Sequence, residues 1–277
     1  MYIINSDFYN FRLNDKRLKM DILNDLLGKE YDEIFFSSTD IYSQLLNDKG
    51  ILVFKDFISK NILKKMVFEA NSLKSGAYNS SSEYNVYVKP TDLSYDINSA
   101  RNRIMKTTKK CAPNDLISDQ SYLMQIYNSV KIQKFFCNLI GVSNLYPYSD
   151  NLSSVNINYY EPGDALGWHF DNSDFTITLL IKNCSKGGIY QYFTDMRYKK
   201  DGSENYQLVE DILDDKIPPN VQPACEGDLM IFKGNKSLHR VSSILDGERI
   251  LVTFNYNNQE GVSLSEQSRK TFFGRIT

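Results

Sequence analysis

Residues 163–171 read Gly163-Asp164-Ala165-Leu166-Gly167-Trp168-His169-Phe170-Asp171, and far downstream comes Ser237-Leu238-His239-Arg240-Val241. His169 and His239 are the only two histidines in the 277 residues. A histidine and a carboxylate two positions apart, followed much later by a lone histidine, match the donors of a 2-His-1-carboxylate facial triad. Such a triad fills three positions of an octahedral Fe(II) and leaves three for other ligands and O2. His169, Asp171 and His239 are therefore the candidate metal ligands and catalytic centre.

The pattern around this stretch is that of a β structure. From about residue 145 onward, short segments of alternating polar and apolar residues are separated by Gly, Asp and Asn. Strands are expected over 153–161, 175–182, 188–193, 221–225, 229–233, 238–244 and 250–257. An insertion over 195–219 carries a helix at 205–213. Upstream the chain reads mainly as helix, over 16–27, from Ser59 as an N-cap, and over 118–129 and 131–140. Short strands are expected at 51–54 and 86–89, and the serine-rich 79–83 reads as a mobile loop. The expected class is α+β with a β-rich core. It forms a single domain over 1–277, with 1–144 a mainly helical buttress and 145–277 the core. The helical half and the insertion are expected to buttress the barrel and close over its mouth.

Alternation within the strands marks their faces, because side chains at i and i+2 point the same way. Arg249, Leu251, Thr253, Asn255 and Asn257 share one face of the last strand, and Ile250, Val252, Phe254 and Tyr256 the other. Asn156, Asn158 and Tyr160 likewise oppose Val155, Ile157 and Tyr159. A 2-oxoglutarate molecule chelates a metal through one carboxylate and its keto oxygen, and its far carboxylate then needs a fixed cation. Arg249, one tight turn beyond the strand of His239, suits that task because guanidinium grips a carboxylate with two parallel hydrogen bonds.

Composition narrows the partners. With 32 basic and 34 acidic residues the net charge is −2, which implies neither a nucleic-acid nor a membrane partner. No apolar run approaches the ~20 residues of a membrane span. The start of the chain lacks the basic-then-apolar pattern of a secretion signal. The cysteines (Cys111, Cys137, Cys184, Cys225) are unspaced and read as buried thiols of a reducing, cytoplasmic protein.

Taken together, His169-x-Asp171, His239 and Arg249 resemble the Fe(II)/2-oxoglutarate-dependent oxygenases, whose fold is a double-stranded β-helix, or jelly roll. Residues 163–171, Gly187-Gly188-Ile189-Tyr190-Gln191-Tyr192 and Gly227-Asp228-Leu229-Met230-Ile231-Phe232-Lys233-Gly234 are more closely similar to a bacterial BesD-like group of amino-acid halogenases and hydroxylases. The resemblance implies Fe(II), 2-oxoglutarate and O2 as cofactor and cosubstrates. It also implies His169, Asp171 and His239 as ligands and Arg249 as the cosubstrate anchor. Asn158 and Tyr160 match an Asn-x-Tyr that touches 2-oxoglutarate in some members; otherwise they are polar residues lining the barrel. Thr253 is a further cosubstrate candidate and Asn255 a substrate candidate. Trp168, beside a ligand, is either a packing support or a substrate-contacting wall. In halogenating relatives the motif carboxylate is replaced by a small residue that frees a position for chloride. Asp171 keeps it, so hydroxylation of a small polar substrate is expected, with a free amino acid or derivative favoured by the resemblance. The rival readings are an oxygenase acting on a carrier-bound or protein substrate and a non-catalytic metal-binding jelly roll.

Overall fold

The computed structural model describes residues 25–277, so nearly all of the helix expected over 16–27 lies outside the described residues. The elements are α1 (Glu33–Ser37), α2 (Thr39–Lys49), β1 (Ile51–Phe54), α3 (Lys60–Leu73), β2 (Tyr78–Asn85), β3 (Ile104–Ala112), α4 (Tyr122–Tyr127) and α5 (Val130–Ile140). They continue with β4 (Val155–Tyr160), β5 (Leu166–His169), β6 (Thr176–Lys182), β7 (Lys186–Gly187), β8 (Tyr190–Phe193), α6 (Tyr206–Leu213) and β9 (Asn220–Gln222). The chain closes with β10 (Leu229–Phe232), β11 (Leu238–Val241), β12 (Ile244–Asp246), β13 (Arg249–Phe254) and α7 (Glu266–Phe273).

Two antiparallel sheets form the double-stranded β-helix. The larger runs β1-β10-β6-β13-β4-β3-β2, the smaller β5-β11-β8-β9, and β7 and β12 pair separately. Register in the larger sheet fixes which side chains work together. Arg249 lies opposite Tyr160, Leu251 opposite Asn158 and Thr253 opposite Asn156, so the polar residues of β13 and β4 form one continuous face. Their alternates Ile157, Tyr159, Ile250, Val252 and Phe254 are buried with Ile177, Leu179, Leu229 and Ile231 in the main core.

That core is sealed by the helices. Ser129 caps α5 by accepting a hydrogen bond from the Ile132 amide, and the helix buries Ile132, Phe135, Phe136 and Leu139 as a stripe at helical spacing. Helix α3 buries Ile62, Met66 and Ala70. Ser59 stands at its N-cap position, but its hydroxyl donates to the Asp25 carbonyl instead of capping the helix. Burying such apolar faces is the main favourable contribution to folding, about 25 cal/mol per Å².

Three expectations need correcting. The serine-rich stretch is strand β2 rather than a loop, paired residue for residue with β3, and 86–89 is a turn and coil rather than a strand. Strand β3 went unread altogether. Neither strand has an apolar face: Ser80, Ser82, Tyr84, Thr107 and Lys109 line a cavity, while Asn79, Ser81 and Glu83 are exposed. With one face toward a polar cavity and the other largely toward solvent, the hydrophobic periodicity that marks a strand is absent. The first half of the chain thus supplies three strands to the larger sheet as well as helices.

The insertion buttresses the barrel, as expected. Helix α6 places Val209 and Ile212 against Trp168, Phe170 and Leu238, behind the smaller sheet. It supports the barrel from outside and gives no residue to the cavity wall, to which Leu264, Phe272 and Phe273 of a later segment do contribute. All four cysteines are free thiols, but only Cys111 and Cys137 are buried; Cys184 is partly covered and Cys225 exposed. No helix among the described residues is long and apolar enough to cross a membrane.

Candidate metal and cosubstrate site

The two histidines meet because their strands are neighbours that pair directly at these residues. His169, the last residue of β5, lies directly opposite His239 of β11, and their ring centroids are 4.2 Å apart. Each ring is fixed in the same way: Nδ1 of His169 donates to the Gly167 carbonyl at 2.8 Å, and Nδ1 of His239 to the Ser237 carbonyl at 2.9 Å. A carbonyl can only accept, so both Nδ1 atoms carry a proton, and both Nε2 atoms are turned toward Asp171.

Asp171 completes the cluster. Its Oδ1 stands 3.2 Å from Nε2 of His169 and 3.6 Å from Nε2 of His239, while its Oδ2 accepts a hydrogen bond from the Thr176 hydroxyl. The Asp171 amide donates to the Gly234 carbonyl at 3.1 Å. Burial opposes ionisation of Asp171. The facing imidazoles of His239 and His169 and the Thr176 hydroxyl outweigh it and hold the carboxyl well below the usual carboxylate range. Burial pushes His239 down to about 4, and the neighbouring His169 ring adds to the shift against the pull of Asp171. His239 is therefore neutral at pH 7.

These residues fit a metal ion. Two imidazole nitrogens and a carboxylate oxygen converge within 4.8 Å, a set of donors that a cation can fill. Facial ligands about 2.1 Å from an ion stand about 3 Å apart, close to the distances here. The nitrogen–nitrogen–oxygen donor set suits Fe(II).

Two glycines permit this geometry. A Cβ on Gly167 would lie 2.7 Å from the Lys106 carbonyl, so only glycine lets β5 cross β3 so closely just before the first ligand. A Cβ on Gly234 would lie 2.0 Å from Oδ2 of Asp171. Gly234→Ala is expected to push the carboxylate from its place and lower iron affinity about 10–100-fold, the usual cost of disturbing a ligand's support. Isothermal titration with Fe(II) under nitrogen, beside a far-UV spectrum confirming the fold, measures this.

The cavity behind the cluster has a volume of about 280 Å³. Deep in it Arg249 is 2 % exposed, and its Nε and Nη1 have no hydrogen-bond partner among the described residues. Burial pushes this guanidinium down from its ordinary value, with Tyr160 and Cys184 opposing. A buried cation with unused donors is costly unless an anion meets it, which is the fit expected for the far carboxylate of 2-oxoglutarate.

The remaining candidates divide. Tyr160 lines the cavity, with the Arg249 guanidinium carbon 5.8 Å from its ring centre. Thr253 also lines it. Asn158 lines it too, but its Oδ1 accepts from Nζ of Lys109 at 2.7 Å. Asn255 spends its amide group on the Ser153 carbonyl and on Asn156 Oδ1, which makes it chiefly a brace between strands. Trp168 is absent from the cavity wall: it packs against Phe193 and lies beneath Arg240 on the opposite face of β5 from His169. It supports the ligand strand and does not reach the cavity.

Three contributors escaped the sequence reading. Thr176 and Gly234 fix Asp171, and neither residue type at its spacing announces that role. Tyr84 completes a chain of contacts to the first ligand: its hydroxyl meets that of Thr107 at 2.6 Å, and Thr107 accepts from the Gly167 amide at 2.9 Å. Tyr84 directly follows the run 79–83 read as a loop, and the alternation of Ser80, Ser82 and Tyr84 was the signal available.

Comparison with solved structures agrees with this fold. The carbocyclase SnoK from nogalamycin biosynthesis, a non-heme α-ketoglutarate-dependent protein, superposes with a TM-score of 0.55 at 14% identity, over 84% of this chain and 92% of its own. The epimerase SnoN, in a complex with Fe3+, α-ketoglutarate and nogalamycin RO, gives 0.54 at 12% identity, over 79% and 83%. A 2OG-Fe(II) oxygenase-family oxidoreductase from Burkholderia pseudomallei gives 0.50 at 12% identity, over 82% and 93%. No curated protein matches the chain. The double-stranded β-helix with this donor cluster is that of the Fe(II)/2-oxoglutarate-dependent oxygenases, and the chain is an enzyme of that class. Within it, the match to Halogenase D spans residues 37–273, and the chain belongs to that family.

Proposed function

We propose that the protein hydroxylates an unactivated C–H bond of a small polar molecule, a free amino acid or close derivative, while 2-oxoglutarate is converted to succinate and CO2. The observation that carries the reading is Asp171. It stands two residues after His169, ionised and beside both imidazoles, at the position where the halogenating relatives carry a small residue. With three protein donors, two positions for 2-oxoglutarate and one for O2, chloride would find a place only by displacing O2 or a tethered anion, and the latter is unfavourable in both coordination and charge.

His169, Asp171 and His239 would hold the iron, and Arg249 would take the far carboxylate of 2-oxoglutarate, with Tyr160 and Thr253 beside it. Iron(II) with 2-oxoglutarate supplies activation of O2 for C–H oxidation. The residues of this chain position and shield. The Nδ1 hydrogen bonds fix both rings, Thr176 holds Asp171, and Phe232 and Tyr190 pack close to His239. Phe272, Phe273 and Leu264 add apolar surface to the cavity wall, which limits water.

A succinate-release screen of amino acids and their derivatives finds the substrate, and mass spectrometry of the product in chloride buffer tests the reaction. The expected product gains one oxygen. A chlorinated product from the unaltered protein would refute the hydroxylase reading. Turnover of carrier-bound or protein substrates alone would refute the free-metabolite part.

A further inference from the structure

We propose that Arg197 is a positioning residue for the carboxylate ligand. From outside the cavity it fixes the two segments that hold Asp171, an assignment that rests on Asp171 being an iron ligand. Arg197 belongs to the insertion, is 8 % exposed, and takes no part in the cavity wall. All three of its guanidinium nitrogens are used. Nε and Nη2 donate to the two carboxylate oxygens of Glu204 at 3.2 and 3.1 Å, and Nη1 donates to the Asn235 carbonyl at 3.1 Å. The guanidinium carbon also lies 5.0 Å from the ring centre of Phe170 and 5.6 Å from that of Tyr87.

The groups it touches flank Asp171. Phe170, fully buried, is the residue before it. Asn235 follows Gly234, whose carbonyl accepts the Asp171 amide and whose missing Cβ leaves the room that Oδ2 of Asp171 occupies. The Asn235 side-chain amide donates in turn to Asp174 Oδ1. The backbone amide of Met196, next to Arg197, donates to the Lys236 carbonyl at 3.2 Å. Met196 and Arg197 thus pin the 234–237 turn while the guanidinium backs Phe170. Asp171 needs such outside support more than the histidines do. Each imidazole is fixed by a carbonyl two residues back in its own segment. Asp171 lies beyond the end of β5 and is held by Thr176 and by the distant Gly234. Packing alone does not call for an arginine here, because a buried ion pair gains little over apolar side chains of the same volume. A planar fork explains the residue type. Two N–H groups locked on Glu204 set the plane, which leaves a face for Phe170 and a third N–H for the Asn235 carbonyl.

The test titrates the full chain with Fe(II) under nitrogen and records a melting curve for each variant. Arg197→Met keeps most of the volume and removes the fork. It should weaken iron binding about 10–100-fold, the usual cost of removing a ligand's support. At saturating iron, the visible band of the iron–2-oxoglutarate complex should change position, while affinity for 2-oxoglutarate stays within about twofold, because Arg249 is untouched. Arg197→Lys keeps the charge but cannot serve Glu204, Phe170 and the Asn235 carbonyl together, so it should also weaken iron, by about threefold or more. Ile212→Ala opens the same apolar cluster. It should lower the melting temperature yet bind iron within about twofold of the unaltered protein. The assignment fails if Arg197→Met, or Arg197→Lys should the first variant not fold, binds iron as the unaltered protein does. It fails also if the band does not move, or if Ile212→Ala weakens iron as much as Arg197→Met, which would make Arg197 part of the general scaffold. Failure of the parent reading looks different: an Asp171→Ala protein that binds iron normally would remove Asp171 from the ligands, whatever Arg197→Met does.

Discussion

His239→Ala is expected to abolish iron-dependent 2-oxoglutarate turnover while leaving the fold in place. Removing the support of a metal ligand typically costs 10–100-fold in affinity, and removing the ligand itself costs more. His239 has no substitute, because the chain's one other histidine is already in the site. Its loss would also strip Asp171 of a facing imidazole that helps keep the carboxylate ionised. The side chain projects into the cavity from β11, whose pairing with β5 and β8 uses the backbone. A cooperative melt and an unchanged far-UV spectrum should therefore accompany the loss of iron. Iron content after anaerobic loading measures the effect, and a His239→Ala protein that keeps full iron and full activity would refute the assignment.

Arg249→Ala should have the second largest effect, of a different kind. A buried guanidinium with unused Nε and Nη1 donors gains most when a carboxylate arrives. Truncating one partner of such a buried pair costs about 2–5 kcal/mol. The apparent constant for 2-oxoglutarate should rise about tens- to thousands-fold, with iron affinity little changed because Arg249 touches none of the three donors. Initial rates of succinate release against 2-oxoglutarate concentration give this number. An unchanged constant would remove Arg249 from the cosubstrate site.

The contrast between these two residues and the ones that were missed shows what a sequence exposes. The histidines and Asp171 were legible because ligand chemistry admits few residue types and the chain has only two imidazoles. Arg249 was legible because strand alternation puts it on the face of Leu251 and Thr253, away from the apolar core residues. The same rule carried the inward face of β4. It also contained the correction for Trp168, since a residue adjacent to an inward-facing ligand on a strand must face outward.

Strands β2 and β3 were hidden for a physical reason. They wall a polar cavity and carry no apolar stripe, so the run around Ser80 and Ser82 looked like a loop. Thr176, Gly234 and Tyr84 act through proximity between residues distant in the chain, such as Gly234 against Asp171, which no local pattern encodes.

Anaerobic titration of the protein with Fe(II), followed by 2-oxoglutarate, tests the central claim most directly. Binding is followed by iron stoichiometry and by the visible absorbance of the iron–2-oxoglutarate complex. One Fe(II) should bind per chain. The absorbance should then appear with one 2-oxoglutarate per iron, vanish in His239→Ala, and require far more 2-oxoglutarate in Arg249→Ala. Iron that binds equally well without His239, or 2-oxoglutarate that binds without iron and indifferent to Arg249, would contradict the account.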